Sequence, residues 1–138
     1  MNRTDPINME QTEEFVIYLR QRRASPQDIL ERLTDAGEAI LAHSLNGNGD
    51  GQVTLLLVTN DRLHTELILR RLGCRYDVDR VVLGRLPRQI GSAALLGMRL
   101  SAAGIRILYS YVSPGEANAA FVVFKTNDNQ RAVAACAA

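Results

Sequence analysis

Residues 14–20, EFVIYLR, crowd Phe, Val, Ile and Tyr into a short run that suits a pleated, half-buried surface, and they predict a strand. From Ser25 the apolar period changes. Ser25-Pro26-Gln27-Asp28 supplies a helix cap, a proline at the first helical position and an acid three residues past the cap. Ile29, Leu30 and Leu33 then form a helical stripe, and Asp35-Ala36-Gly37 ends it with a glycine suited to a left-handed C-cap. AILAHSL (39–45) and VTLLLV (53–58) predict two strands around the turn NGNGDG (46–51). Asp61 caps a second helix whose apolar stripe reads Leu63, Leu67, Ile68 and Leu72, with Glu66 four residues before Arg70 and Gly73 at the end. A strand in 74–79 closes a β-α-β-β-α-β order, the ferredoxin-like split arrangement.

The same order then recurs. LLLVTND at 55–61 is echoed by VVFKTND at 122–128, and that offset of 67 holds without a gap. Ser25 falls on Ser92, Leu33 on Leu100, Ala36-Gly37 on Ala103-Gly104, and Ile40-Leu41 on Ile107-Leu108. Even the loops LNGNGDGQ (45–52) and VSPGEANA (112–119) match in length. A repeat of this period is a duplication of one supersecondary unit. The second copy runs through 81–86, 92–103, 105–112, 119–125 and 128–137, and no strand follows its last helix. The fold class expected is therefore α+β: two tandem ferredoxin-like βαββαβ modules, at 13–79 and 80–138 after an N-terminal segment 1–12, the second lacking its last strand. Its vacant edge is left short, covered by the segment around Pro6–Met9, or closed by another chain.

Composition narrows the function. Modules of roughly 65 residues bury only about 60% of their unfolded surface, so two of them in 138 residues are expected to stabilise each other. A net charge of +1 argues against a protein built around nucleic acid or an anionic membrane. No run approaches the roughly 18–20 apolar residues of a membrane span, and the polar start MNRTDPINMEQTEE is unlike a signal peptide. Cys74 and Cys136 lack metal-type spacing and are expected to be reduced thiols in the cytoplasm.

The run LPRQIGSAALLGMRLSAAGIRILYSYV (86–112) with AFVVFKTNDNQRAV (120–133) resembles the ACT domain, and the likeness covers nearly all of the second unit. The first unit resembles it less closely, with Arg23-Ala24-Ser25 where the family usually has a glycine. Two such units in one short chain are similar to the stand-alone tandem ACT proteins of bacteria. The resemblance implies a non-catalytic regulatory module that binds a small-molecule effector, most often an amino acid, and acts on a partner enzyme or pathway. The family's ligand contacts, carried over, fall on Arg88, Gln89, Ile90, Gly91 and Ser92 with Ile105 and Arg106 in the second unit. In the first they fall on Arg22, Arg23, Ala24 and Ser25 with Glu38 and Ala39. Physical reasons favour such a place: a helix start offers unpaired N–H groups, Gly91 allows close backbone approach, and Arg88 or Arg106 can grip a carboxylate. Pro26 and the Ser25 cap make the first unit's turn better suited to holding a helix than to receiving an anion.

Other chemistry is weak. RQRR (20–23) is balanced by nearby acids and reads as a solvated edge. The third strands, TLLLV and FVVFK, lack the aromatic alternation of RNA-binding relatives of the fold. NGNGDG opens like a calcium loop, but Leu57 stands where a bidentate Glu belongs. His43 and His64 have no Cys or His at ligand spacing, so no metal site is expected. No catalytic set and no cofactor loop appear. The alternative to a sensor is a protein-interaction scaffold with a degenerate pocket. In the family, modules sit side by side with strand order 4-1-3-2-2-3-1-4. Within one chain this would separate strand four of the first unit from strand one of the second by about 29 Å. The few residues of 77–81 reach only roughly 10–16 Å. A near-continuous strand through 75–86 is expected instead, with side-by-side pairing made between the chains of a homodimer.

Overall fold

The computed structural model describes residues 8–20, 25–47, 49, 51–87, 92–114 and 119–137. These form β1 (Asn8–Arg20), α1 (Pro26–Asp35), β2 (Ile40–Gly47), β3 (Gln52–Thr59), α2 (Arg62–Arg71), β4 (Arg75–Pro87), α3 (Ser92–Ala102), β5 (Ile107–Pro114), β6 (Ala119–Thr126) and α4 (Asn129–Ala137). The strands hydrogen-bond in the order β2-β3-β1-β4-β6-β5.

The chain divides into two compact units, Glu13–Asp79 and Met1–Thr12 with Arg80–Ala138. In the first, β3 lies antiparallel between β1 and β2, with Ile17 opposite Leu55 and Leu45 opposite Leu55 on the other side. Its core is Phe15, Ile17, Ile29, Leu33, Leu55, Leu57 and Leu69. In the second, β6 lies antiparallel between β4 and β5, and the core is built on Val82, Leu86, Leu96, Leu100, Ile105, Val122 and Phe124. Both long strands serve both units. Arg75–Pro87 is one strand, as the spacing argument required, with its first part in one unit and its second in the other.

The helix starts follow the sequence closely. Ser25 accepts from the Asp28 N–H at 3.1 Å while Asp28 accepts from the Ser25 N–H at 3.2 Å, a reciprocal cap with Pro26 leading the helix. Asp61 caps α2 through the His64 N–H at 3.1 Å. Two expectations need correction. The stripe of α2 faces inward through Thr65, Ile68, Leu69 and Leu72, while Leu63 and Leu67 are exposed. Leu63 and Leu67 lie about half a turn from Thr65 and Leu69, so they cannot share that face. And β1 begins at Asn8, well before Glu14. Its first residues belong with Arg80–Ala138, where Met9 packs on the core, so of the three alternatives for the vacant edge it is cover by the N-terminal segment that the structure shows. The close fit is set by Gly84, where an added Cβ would collide with Met9 and come within 2.9 Å of Val122 Cγ1.

Candidate functional site

The helix α2 ends in a turn in which Gly73 takes φ +70° and the Cys74 N–H reaches the Leu69 carbonyl at 3.0 Å. That turn aims the chain straight into β4. Along β4 the side chains alternate: Tyr76 and Val78 pack on the core, so Arg75 and Asp77 project from the opposite face of the sheet. Tyr18 of β1 joins them. Its hydroxyl donates to Asp77 Oδ2 at 2.8 Å, and the Arg75 guanidinium carbon sits 5.8 Å from the centre of its ring. Behind β4, Tyr76 is fixed by an edge-on contact with Phe15 and by donating to Glu66 Oε1 at 2.8 Å, which holds the strand in register.

These three side chains stand at a cavity of ≈ 400 Å³, walled further by Leu19, Val53, Leu72 and Cys74. That volume is within the usual range for small-ligand sites. The hydrogen bond to Asp77 pushes the Tyr18 phenol above its ordinary range, with burial and the Asp77 charge adding and Arg75 pulling back. Burial pushes the Cys74 thiol up, so it stands in the wall as a thiol and a poor nucleophile. Among the described residues the lining holds no histidine, so the site offers binding groups rather than a nucleophile with its base. A forked cation and a carboxylate two residues apart, beside apolar wall, suit a small zwitterion: carboxylate to Arg75, ammonium to Asp77, side chain to Leu19, Val53 and Leu72. A second hollow of ≈ 330 Å³ lies at Met9, Glu10 and Arg85.

The residues carried over from the family lie elsewhere. Arg88, Gln89, Ile90 and Gly91 fall outside the described residues, as do Arg22, Arg23 and Ala24; Ser92 opens α3 as expected. Ile105 closes the turn after α3, its N–H bonded to the Leu100 carbonyl and its side chain in the core. Arg106 is exposed, and its backbone N–H donates to Asn127 Oδ1 at 2.9 Å while its carbonyl accepts from Asn127. Ala39 is held identically by Asn60. Glu38 is buried beside His64. None of these described positions lines the Arg75 cavity. Tyr18, Arg75 and Asp77 form no local motif, since the strand pattern of 74–79 does not join them to Tyr18. The available signal was charge at 75 and 77 alternating with Tyr76 and Val78.

No family model matches the sequence, and no curated protein matches it. Solved structures do. The protein BT0572 from Bacteroides thetaiotaomicron superposes with a TM-score of 0.78 at 20% identity, covering 92% of this chain and 87% of that one. The ligand-free regulatory subunit of aspartate kinase from Thermus thermophilus gives 0.69 at 10% identity, covering 96% and 95%. Escherichia coli aspartokinase III, in complex with lysine and aspartate, gives 0.53 at 15% identity, covering 96% of this chain and 31% of the enzyme. At such identities the likeness establishes the fold: a mixed α/β, ACT-like fold of the kind found in regulatory domains of aspartate kinase.

Proposed function

We propose that this protein is a non-catalytic regulatory module that senses an amino acid and passes its occupancy to a partner enzyme or pathway. The observation that carries this is the Arg75–Asp77 pair on one face of β4, at a cavity of ≈ 400 Å³ with apolar walls. The fold neighbours add support at the level of class, being regulatory subunits and domains of aspartate kinase. An effector contact at Arg88, Gln89, Ile90, Gly91 and Ser92 with Arg106 is the alternative placement of the site, and tandem ACT-like modules belong to the same proposal. So does a homodimer, for which β5 keeps Ile107, Leu108 and Val112 exposed.

A thermal-shift screen of the twenty amino acids tests it. An effector present at 100 times its dissociation constant stabilises the fold by about 2.7 kcal/mol, a shift readily resolved. The same effector should slow labelling of Cys74, which lines the cavity, while the buried Cys136 stays unreactive throughout. No response to any amino acid would favour the scaffold reading. A response lost in an Arg88→Ala/Arg106→Ala variant but kept in Arg75→Ala would move the site to the α3 turn.

A further inference from the structure

We infer that Glu38, Asp61 and His64 form a binding site for a divalent transition-metal ion, with zinc as the reference ion. Glu38 is a charged residue at an apolar place. Glu38 follows the glycine that ends α1: Gly37 N–H bonds to the Thr34 carbonyl and Glu38 N–H to the Leu33 carbonyl, each at 3.0 Å. This turn calls for an apolar side chain at the second residue, laid against the helix's last turn. The equivalent residue after α2 is Cys74 and after α3 is Ile105, which is buried in the core. Here it is a carboxylate with a side-chain exposure of 1%, and among the described residues neither Oε1 nor Oε2 has a hydrogen-bond partner. A buried carboxylate without hydrogen-bond partners is costly, and packing does not require one at this position, since the duplicate carries isoleucine there.

The surroundings suggest what offsets that cost. His64 Nδ1 stands 2.7 Å from Glu38 Oε1, close enough for an ion pair, yet the ring N–H is not aligned to make a hydrogen bond. Asp61 completes the group. Its Oδ1 caps α2, which leaves Oδ2 with capacity to spare. One donor atom from each of the three residues lies within 4.8 Å of the others. Metal–ligand bonds of about 2.0–2.2 Å would draw them together by rotamer adjustments that the partly exposed His64 and exposed Asp61 are free to make. Imidazole with two carboxylates is a mixed donor set of the kind first-row divalent ions accept, and the exposed pair provides an entry path and a position for water. The repeat supports a concerted change. Asp128 caps α4 as Asp61 caps α2, with Asp128 Oδ1 accepting from the Arg131 N–H, so the aspartate has a structural role in both halves. The touching pair Glu38 and His64, by contrast, is replaced by Ile105 and Arg131 together.

Glu38 is far along the chain from Asp61 and His64, and only the fold joins them. The test is calorimetric titration of zinc into the metal-stripped full chain, with cobalt absorption as a second readout of inner-sphere ligation. Wild type should bind one zinc and melt at a higher temperature with it. Glu38→Ile, which copies the other half, and His64→Gln at a partly exposed position should both fold and lose saturable binding. His43→Ala and Cys74→Ser should keep it. Wild type that takes up no zinc, alongside a Glu38→Ile variant more stable than wild type, would assign a buried Glu38–His64 ion pair only and overturn the proposal. Zinc binding that survives both Glu38→Ile and His64→Gln would overturn it equally.

Discussion

At the scale of single residues, Tyr18 carries a prediction with a definite sign. Its phenol is pushed up chiefly by the hydrogen bond to Asp77, so the folded state holds its proton more tightly than the unfolded chain does. The stability this contributes is complete below the ordinary tyrosine range near about 10 and is lost as pH rises through the higher folded value. Replacing Asp77 with Ala removes both the hydrogen-bond acceptor and the charge, so the tyrosine titration followed by ultraviolet absorbance should begin at lower pH than in wild type. An unchanged curve would mean that Asp77 does not govern Tyr18. Gly84 carries a second prediction. Met9 is the end of a flexible side chain and can give way, but the branched Val122 at 2.9 Å cannot. Gly84→Ala should therefore destabilise by about 1–3 kcal/mol, read from urea unfolding.

At the scale of elements, what was legible is what depends on neighbours in sequence. Ser25, Pro26 and Asp28 announce α1, Asp61 announces α2, and Gly37, Gly73 and Gly104 announce helix ends, because each acts through bonds to residues a turn away. What depends on tertiary pairing was not legible. The polar Asn8–Thr12 carries no strand pattern of its own, and its place beside the second half of β4 makes it strand. In α2 four leucine or isoleucine positions suggested a face, but the buried Thr65, bonded to Thr59 Oγ1 at 2.7 Å, shows that geometry outranked hydrophobicity there. Two glycines on one helix turn this into a measurable contrast. Gly97 lies inside α3 with nothing within 4 Å of an added Cβ, so Gly97→Ala should stabilise by about 0.8–1 kcal/mol. Gly104 ends that helix at φ +71°, and Gly104→Ala should destabilise by about 1–2 kcal/mol although space is also open there. Denaturant midpoints of the two variants should move in opposite directions.

At the scale of the whole molecule, the repeat made the order of elements readable before any coordinates, and the length of 77–81 required the long β4. The binding residues were not readable in the same way. The resemblance points to helix starts such as that after Gly91, whereas Arg75 and Asp77 become a pair because Tyr76 and Val78 face the core. The vacant edge gives no support to a homodimer, since Asn8–Thr12 covers it and closure by another chain was only one of three alternatives. The remaining strands at the ends of the order are β2 and β5, and β5 is the more apolar outside. Light scattering at tens of micromolar should report a dimer that Leu108→Lys converts to a monomer; a wild-type monomer would remove the homodimer from the proposal. The central claim is that Arg75 and Asp77 hold the two charges of an amino acid. Its most direct test is calorimetric titration of the amino acid that raises the melting temperature most, into wild type, Arg75→Ala and Asp77→Asn. Losing a charge-assisted hydrogen bond worth about 1.5–3 kcal/mol should weaken binding at least about tenfold in each folded variant. Wild-type affinity in both variants would contradict the claim and place the effector elsewhere.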